Sequence, residues 1–356
     1  MLPALKRRVN KMDAFIKVDN LVRYYTQKKV EHKDGKKSTK QTIKAVDGVS
    51  FELEKGEILG VIGESGCGKS TLGRLLMRLE EPTSGDVYIG GVSTAKLLKK
   101  DRLSFRKKCQ IVFQNPFDTF DPRYTIRKIL MDTCKLHKIG NNQDEMLQTC
   151  ISVLEEAGLR PAEDYLDRYP FELSGGQLQR ISILRSMLLN PEFLVADEPV
   201  SMLDVSVRAD IINMLTELTR KKGSSMVFIS HDIATTRYIS DKVAVMYLGR
   251  IVEMGETDEI LHHPKHPYTQ ALISNSPDID PRIHKDAIVL EGEPPTPINT
   301  GPGCYFAQRC RFACEKCFKS YPDLVKDETG RLVSCFKTEG NISNEDVTDT
   351  AKEGGN

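Results

Sequence analysis

A glycine-rich segment from Gly63 to Thr71 has the residue types and the spacing that hold phosphate groups. It fits the pattern G-x-x-x-x-G-K-S between Gly63 and Ser70. Glycines let successive backbone N–H groups turn toward phosphate oxygens, and a helix starting at Lys69 would point the positive end of its dipole at them. Lys69 would add a positive charge at the terminal phosphates, and Ser70 would ligate Mg²⁺. The preceding apolar strand and the following helical pattern favour a nucleotide site over a chance glycine-rich turn. The residues predicted to bind the nucleotide here are Gly63, Ser65, Gly66, Cys67, Gly68, Lys69, Ser70 and Thr71.

Two adjacent carboxylates, Asp197 and Glu198, follow the apolar run 193–196. That run predicts a buried strand, and neighbouring residues on a strand point to opposite sides, so the two carboxylates should do different jobs. We expect Asp197 to hold Mg²⁺ and Glu198 to polarise the attacking water. Carboxylates at a strand end often only cap a helix, but the phosphate loop in the same chain makes that alternative the weaker one.

Two further polar side chains follow predicted strands. Gln114 ends the run that begins at Ile111, and it could reach a metal ion or a water molecule. His231 follows the run that begins at Val227, and it could contact the terminal phosphate. A single Gln or His at a strand end is usually structural. A functional role for Gln114 and His231 is therefore favoured only by their order relative to the other motifs along the chain.

The elements that must carry these residues alternate between strand and helix. Short apolar runs separated by amphipathic helices predict a parallel α/β sheet. Between about 119 and 172, helical segments broken near Gly140, Gly158 and Pro161 predict an inserted helical subdomain. The predicted strands are 16–25, ending at Tyr24-Tyr25, then 49–53, 57–62, 193–196 and 226–229.

The remaining segments are irregular in composition. Residues 1–13 are basic and predicted to be frayed, and residues 27–44 are Lys-rich, which favours a solvated hairpin or mobile loop. Pro and Gly are dense between 264 and 303, which predicts a linker into a small cysteine-bearing unit. The polar tail 341–356 is predicted to be disordered.

Composition excludes several classes of protein. The 356 residues are 39% hydrophobic and 28% charged, with 51 Lys and Arg against 50 Asp and Glu, for a net charge of +1. A dedicated nucleic-acid binder carries excess positive charge, which this chain lacks. No apolar run approaches the roughly 20 residues that span a bilayer, and the first residues lack the apolar core of a signal peptide. We therefore expect a cytoplasmic protein.

Five of the nine cysteines crowd into the last sixth of the chain. The spacing C-x5-C-x6-C-x17-C from Cys304 to Cys335 offers four soft ligands, which could hold zinc or a 4Fe–4S cluster or could simply pack as thiols. The four candidate ligands are Cys304, Cys310, Cys317 and Cys335, and Cys314 is a spare. A segment this short has little core of its own, so a metal staple is physically reasonable.

The segment Leu173–Gln177, which is followed 20 residues later by Asp197, narrows the interpretation of the nucleotide site to one family. The chain resembles the ABC-type ATPases, in which Leu-Ser-Gly-Gly-Gln is the signature, and the resemblance covers residues 14 to about 340. It implies an α/β fold: a P-loop NTPase core over 14–262 with an antiparallel β subdomain and an inserted helical subdomain, followed by a small Cys-rich C-terminal domain over 263–340.

The same resemblance implies roles for individual residues. The signature residues would bind the γ-phosphate of an ATP held by the opposite protomer, so two chains would clasp two ATP molecules. Gln114 would lie in the Q-loop with a share in Mg²⁺ binding, His231 would be the switch histidine, and Tyr25 would stack on adenine, with Tyr24 as the alternative. The signature and D-loop residues concerned are Ser174, Gly175, Gly176, Gln177 and Asp204.

Finer matches resemble oligopeptide and dipeptide importer ATPases, in particular the F-type of their two paired subunits. The matches to the importer family are Asn115-Pro116, Asp121-Pro122-Arg123, 266–269, 291–298 and 303–310. The matches to the F-type subunit are residues 44–51 and the phosphate loop with Cys67 and Ser70-Thr71. This resemblance implies ATP and Mg²⁺ as cofactors and favours a 4Fe–4S cluster on the cysteines. It also implies a related second ATPase subunit, two membrane permease subunits, an extracytoplasmic peptide-binding protein and a peripheral position on the cytoplasmic membrane face. Importers of another solute (nickel or oligosaccharide) and non-transport ABC ATPases are the alternatives. Met202 departs from the small residue usual in the D-loop.

Overall fold

The computed structural model describes residues 14–29, 39–276, 287–290, 292 and 295–339. The expectations for the basic segment 1–13, for the tip of the Lys-rich segment (30–38) and for the polar tail 341–356 lie outside these residues. Part of the predicted linker between 264 and 303 lies outside them too.

The central sheet has eight strands in the order β11-β12-β10-β9-β3-β8-β7-β6. Its strands from β9 to β6 run parallel, and every residue of β3, β7 and β8 is buried because helices cover both faces. This confirms the predicted α/β fold. The strands are β3 (Ile58–Ile62), β6 (Cys109–Val112), β7 (Phe193–Asp197), β8 (Ser225–Ile229), β9 (Lys242–Tyr247), β10 (Arg250–Glu256), β11 (Val325–Lys326) and β12 (Leu332–Val333).

A second sheet is antiparallel and has the order β2-β1-β4-β5. Its strands are β1 (Ile16–Lys29), β2 (Thr39–Leu53), β4 (Ser84–Ile89) and β5 (Val92–Ser93). The prediction that β1 ends at Tyr24-Tyr25 is wrong, because its pairing with β2 continues to Lys29 opposite Thr39. The polar residues beyond Tyr25 form the stem of a hairpin, where backbone pairing and not apolar alternation maintains the strand.

Helices pack on the central sheet and on one another. The N-termini of α7 and α8 are capped by Ser174 and Asp204, whose side chains accept hydrogen bonds from N–H groups of the first turn. The helices of the core are α1 (Lys69–Leu76), α2 (Thr94–Lys100), α3 (Arg102–Lys108), α7 (Gly175–Met187), α8 (Val205–Lys222) and α9 (Ile233–Ile239).

The inserted segment between β6 and α7 is helical, as its sequence predicts. It contains α4 (Ile126–His137), α5 (Gln143–Glu156) and the single-turn α6 (Glu163–Leu166), with 3-10 turns at Pro116–Thr119 and Pro170–Glu172. Its breaks fall at the glycines: Gly140 and Gly158 have φ of 81° and 72°, in the left-handed region that glycine tolerates. Its apolar side chains are continuous with those of α7 and α8.

The C-terminal residues extend the central sheet. The helices here are α10 (Thr257–His262), α11 (Pro267–Ser274) and α12 (Glu315–Lys319). β12 pairs antiparallel with β10, and the backbone N–H of Lys44 in β2 donates to Pro297 O at 3.0 Å. Within the described residues no helix is both long and apolar enough to span a bilayer.

Candidate active site

The phosphate loop connects the buried strand β3 to α1. Gly66 and Gly68 have φ of 76° and 104°, which side-chain-bearing residues rarely adopt. A Cβ on Gly68 would also lie 2.0 Å from Ala45 O, so the loop is packed against neighbouring backbone. No side chain caps α1 at Gly68, so the N–H groups of its first turn are available to phosphate oxygens.

Lys69 and Ser70 project from the first turn of α1. The buried Lys69 amine donates to Gly63 O at 2.8 Å and to Glu64 O at 3.0 Å, which keeps the loop curled around it. Ser70 Oγ donates to Asp197 Oδ1 at 2.9 Å, so the two oxygen ligands expected for Mg²⁺ adjoin. Burial raises the pKa of the Asp197 carboxyl, and a bound cation would oppose this effect.

The Glu198 side chain contacts the two other polar residues that follow predicted strands. Gln114 Nε2 donates to Glu198 Oε2 at 3.1 Å, and His231 Nδ1 lies 3.4 Å from the same oxygen. Glu198 has φ of 47°, and its N–H donates to Ile229 O at 2.9 Å, which fixes this turned backbone. Gln114 also donates to Ser201 Oγ at 3.1 Å, a contact that no sequence pattern indicated.

The signature residues lie apart from this cluster. Ser174 and Gln177 form a reciprocal cap at the start of α7: Gln177 N–H donates to Ser174 Oγ, and Ser174 N–H donates to Gln177 Oε1. A Cβ on Gly176 would lie 2.7 Å from Val207, so α7 and α8 pack closely there. Asp204 accepts hydrogen bonds from Ser206 Oγ and Val207 N–H, which lower the pKa of its carboxyl. Among the described residues, no hydrogen bond or ion pair joins 174–177 to the phosphate loop.

The two candidate adenine-stacking tyrosines have different partners. The Tyr24 hydroxyl donates a hydrogen bond to the buried Asp47. The pKa of the Tyr24 hydroxyl is raised, first by burial and second by this hydrogen bond. The Tyr25 hydroxyl bonds to Glu80, beyond the C-terminal end of α1, and the Arg23 guanidinium lies 4.6 Å from the centre of the Tyr25 ring. Tyr25 therefore lies on the α1 side of β1, and Tyr24 contributes to an internal polar network.

The cysteines of the C-terminal segment converge. Cys304, Cys310, Cys317 and Cys335 line one small cavity together with His266 and aromatic side chains. Burial raises the pKa of the Cys304 thiol to about 12 and that of the Cys310 thiol to about 11. Within the described part of the chain, no three His, Cys, Asp or Glu side chains are grouped closely enough to hold a metal ion. The cavity thus gathers four thiols without the tight tetrahedron of a zinc site.

Two residues that the sequence offered only as family markers contact the phosphate loop. Arg309 Nη1 donates to Glu64 Oε2 at 2.9 Å, and the Tyr268 hydroxyl accepts a 2.9 Å hydrogen bond from Glu64 N–H. These partners are 245 and 204 residues apart in sequence. No local pattern could have paired them.

Comparison with known proteins agrees with this geometry. The ABC transporter family model matches residues 46–201, and that of the oligopeptide/dipeptide transporter C-terminal region matches residues 252–317. The chain is 46% identical to the dipeptide transport ATP-binding protein of Haemophilus influenzae over 316 residues, 89% of this chain and 94% of that protein. Its identity to the Escherichia coli K12 protein of the same description is 45% over 304 residues, 85% and 90% of the two chains.

The fold also matches solved structures. A dimeric ATP-binding cassette in a post-hydrolysis state, bound to ADP and Pi, has a TM-score of 0.56 and 26% identity, covering 68% of this chain and 98% of that one. The fold and the residues at its sheet edge are those of an ABC-type ATPase. The chain belongs to the ABC transporter family, in the group that carries the oligopeptide/dipeptide transporter C-terminal region.

Proposed function

We propose that this chain is the ATP-hydrolysing subunit of an importer that takes up dipeptides or oligopeptides through partner membrane permeases. The observation that carries the chemistry is the Glu198 carboxylate held by Gln114 and His231 near the Ser70–Asp197 pair. The assignment of dipeptides or oligopeptides as the cargo rests on the match to peptide-transport ATP-binding proteins over most of the chain.

The site residues divide the work of hydrolysis. The phosphate loop and Lys69 bind the phosphates, and Tyr25 stacks on adenine. Ser70, Asp197 and the amide oxygen of Gln114 would hold Mg²⁺, which would supply positive charge to offset the charge that develops on the phosphates. Glu198 accepts or orients the proton of the attacking water, and His231 fixes the water's geometry against the terminal phosphate.

The separation of the signature from the phosphate loop supports a two-chain site. The first turn of α7 points the positive end of its dipole outward, and the N–H groups of Gly175 and Gly176, which the Ser174–Gln177 cap does not use, suit a phosphate arriving from another molecule. Met202 and Val205, which flank Asp204, are 62% and 80% exposed, an unusual position for apolar side chains unless a partner covers them. We infer that the partner is a second ABC ATPase, related but distinct, and that its ATP meets this signature.

The inserted helical segment supplies the surface for the membrane subunits. Tyr169 and Phe171 stack with ring centres 5.5 Å apart, and Phe171 is 66% exposed just before the signature. This Tyr169–Phe171 pair would receive a loop of the permease on the cytoplasmic membrane face. An extracytoplasmic binding protein would deliver the peptide, so the cargo never touches this chain.

The four cavity cysteines are proposed to hold a 4Fe–4S cluster with a structural role. Their convergence supports a ligand set, and the lack of a close three-residue group among the described residues disfavours a single zinc ion. Each thiolate of such a cluster binds a different iron, so the sulfurs are held further apart than around one ion. Anaerobic purification with ultraviolet–visible absorption tests this, and colourless, iron-free protein would refute it.

The decisive test of hydrolysis is Glu198→Gln. This variant should bind ATP like wild type and hydrolyse it about 10²–10⁴-fold more slowly, because the proton acceptor is gone. Glu217→Gln, an exposed carboxylate on α8, is the matched control and should leave turnover unchanged. Normal turnover in Glu198→Gln would show that the base is misassigned.

The cargo class needs the assembled transporter. Co-purification with the membrane subunits, followed by ATPase assays in lipid, should show stimulation by dipeptides or oligopeptides presented by the binding protein. Stimulation by nickel or by an oligosaccharide alone would move the chain to another solute.

A further inference from the structure

Glu64, the second residue of the phosphate loop, adds a carboxylate to a loop that is expected to bind anionic phosphates. Its backbone is part of the loop itself, since Glu64 O accepts a hydrogen bond from the Lys69 amine at 3.0 Å. A bare carboxylate at this position would repel the nucleotide. The loop therefore requires a compensating charge.

That charge comes from the C-terminal segment. The Arg309 guanidinium makes two bonds to the Glu64 carboxylate, 2.9 Å from Nη1 to Oε2 and 3.2 Å from Nη2 to Oε1. The Arg309 side chain is 8% exposed and the Glu64 side chain 24%, so water screens this partly buried pair less than a pair at the surface. A planar guanidinium bound through two nitrogens fixes orientation as well as charge.

Arg309 lies against a cluster of packed aromatic rings. The Tyr247 hydroxyl lies 3.4 Å from Arg309 Nη1, and the Tyr247 ring packs against Tyr268 and Phe306 at 4.6 and 5.3 Å. Tyr268 in turn accepts the N–H of Glu64 through its hydroxyl. The C-terminal segment thus forms hydrogen bonds with both the backbone and the side chain of Glu64.

We propose that Arg309 is a positioning residue of the ATP site, which neutralises Glu64 and holds its carboxylate away from the phosphates. This inference rests on the ATP site proposed above. It makes the C-terminal segment a working part of the nucleotide site. Replacing Arg309 should therefore lower the affinity for ATP only while Glu64 keeps its negative charge.

The test measures ATP affinity of the full-length chain by titration with a fluorescent ATP analogue. Arg309→Gln should weaken binding about tenfold, because it leaves an unpaired carboxylate beside the phosphates. Glu64→Gln alone should bind as well as wild type or better. The double variant should return to within about threefold of wild type, since no uncompensated charge remains.

Controls separate this effect from damage to the fold. Arg311→Gln, a neighbouring exposed arginine, should bind ATP normally. If Arg309→Gln fails to fold, Arg309→Lys, which keeps the charge but loses the two-nitrogen geometry, should show a smaller loss that Glu64→Gln again relieves.

A double variant that binds as weakly as Arg309→Gln, or an Arg309→Gln that binds as wild type, would overturn the inference and leave the proposed ATPase intact. Failure of wild-type protein to bind the analogue would instead overturn the proposed function, and this inference with it.

Discussion

At the scale of single residues, the site depends on two consecutive carboxylates that face different partners. Asp197 ends β7 and accepts from Ser70, whereas Glu198 turns into the left-handed region and meets Gln114 and His231. A non-glycine residue in that conformation carries strain that the neighbouring bonds must hold. This backbone turn directs the proposed metal ligand and the proposed base, which are neighbours in sequence, toward different partners.

The phosphate-loop glycines should differ in their tolerance of a side chain. Gly68→Ala places a Cβ 2.0 Å from Ala45 O and should abolish ATP binding and destabilise the fold by several kcal/mol. Gly66→Ala, which meets no atom within 4 Å, should cost only about 1–2 kcal/mol from its positive φ. Urea unfolding and ATP titration measure both; equal losses would refute the distinction.

The grouping of most candidate-site residues could be predicted, because it depends on local spacing along the chain. The phosphate loop, the carboxylate pair, Gln114 and His231 each follow a strand, and parallel strands bring their ends to one edge. The contacts of Ser201 with Gln114 and of Arg309 with Glu64 could not be predicted. The partners are 87 and 245 residues apart in sequence, and neither Ser201 nor Arg309 belongs to a periodic pattern.

At the scale of elements, the inserted helical segment should matter for coupling and not for basal chemistry. Phe171→Ala should leave the ATPase of the isolated chain unchanged and reduce its co-purification with the membrane subunits, because it removes exposed apolar area. Tyr238→Ala, with a ring on α9 that is also 66% exposed, is the control. Unchanged co-purification of Phe171→Ala would place the permease contact elsewhere.

The turn between β11 and β12 should give a pH-dependent stability. Burial alone would raise the pKa of Asp327, but hydrogen bonds from Lys265, Thr329 and the N–H of Arg331 hold this pKa well below its usual range. The unfolded chain then binds more protons, so this stabilisation is complete above the unfolded pKa of 3.8 and lost as pH falls below it.

Asp327→Asn should therefore lower the free energy of unfolding by about 1 kcal/mol at pH 7. Its difference from wild type should narrow only below about pH 4, as followed by urea unfolding across pH. Asp323→Asn, an exposed neighbour, should change neither value. A constant difference down to pH 3 would contradict the assignment.

Strand ends were the least predictable elements. The alternation of Ile16, Val18 and Leu21 located β1, but its polar continuation to Lys29 depends on pairing with β2, which composition does not reveal. The two-residue strands β11 and β12 carry no periodicity at all. The sequence therefore indicated a separate C-terminal unit, whereas these strands join the central sheet.

At the scale of the whole molecule, ATP should bring two chains together. The Glu198→Gln variant, mixed with the second ABC ATPase proposed as its partner, should form a dimer only with ATP, as measured by light scattering after gel filtration. Ser174→Glu in this chain should prevent it, because a carboxylate at the start of α7 repels the incoming phosphate.

Thr125→Glu changes the cap of α4 in the same way and should leave the dimer intact. ATP-dependent dimers that tolerate Ser174→Glu would show that the signature does not meet nucleotide.

The pairing of β12 with β10 has a practical consequence for handling this protein. A shortened chain that stops after α10 would leave β10 with an open edge of unpaired N–H and C=O groups. It would also uncover the ring of Tyr247, which is otherwise enclosed by Tyr268 and Phe306. Such fragments should associate edge to edge and precipitate, so biochemical dissection is better done by point substitution than by cutting.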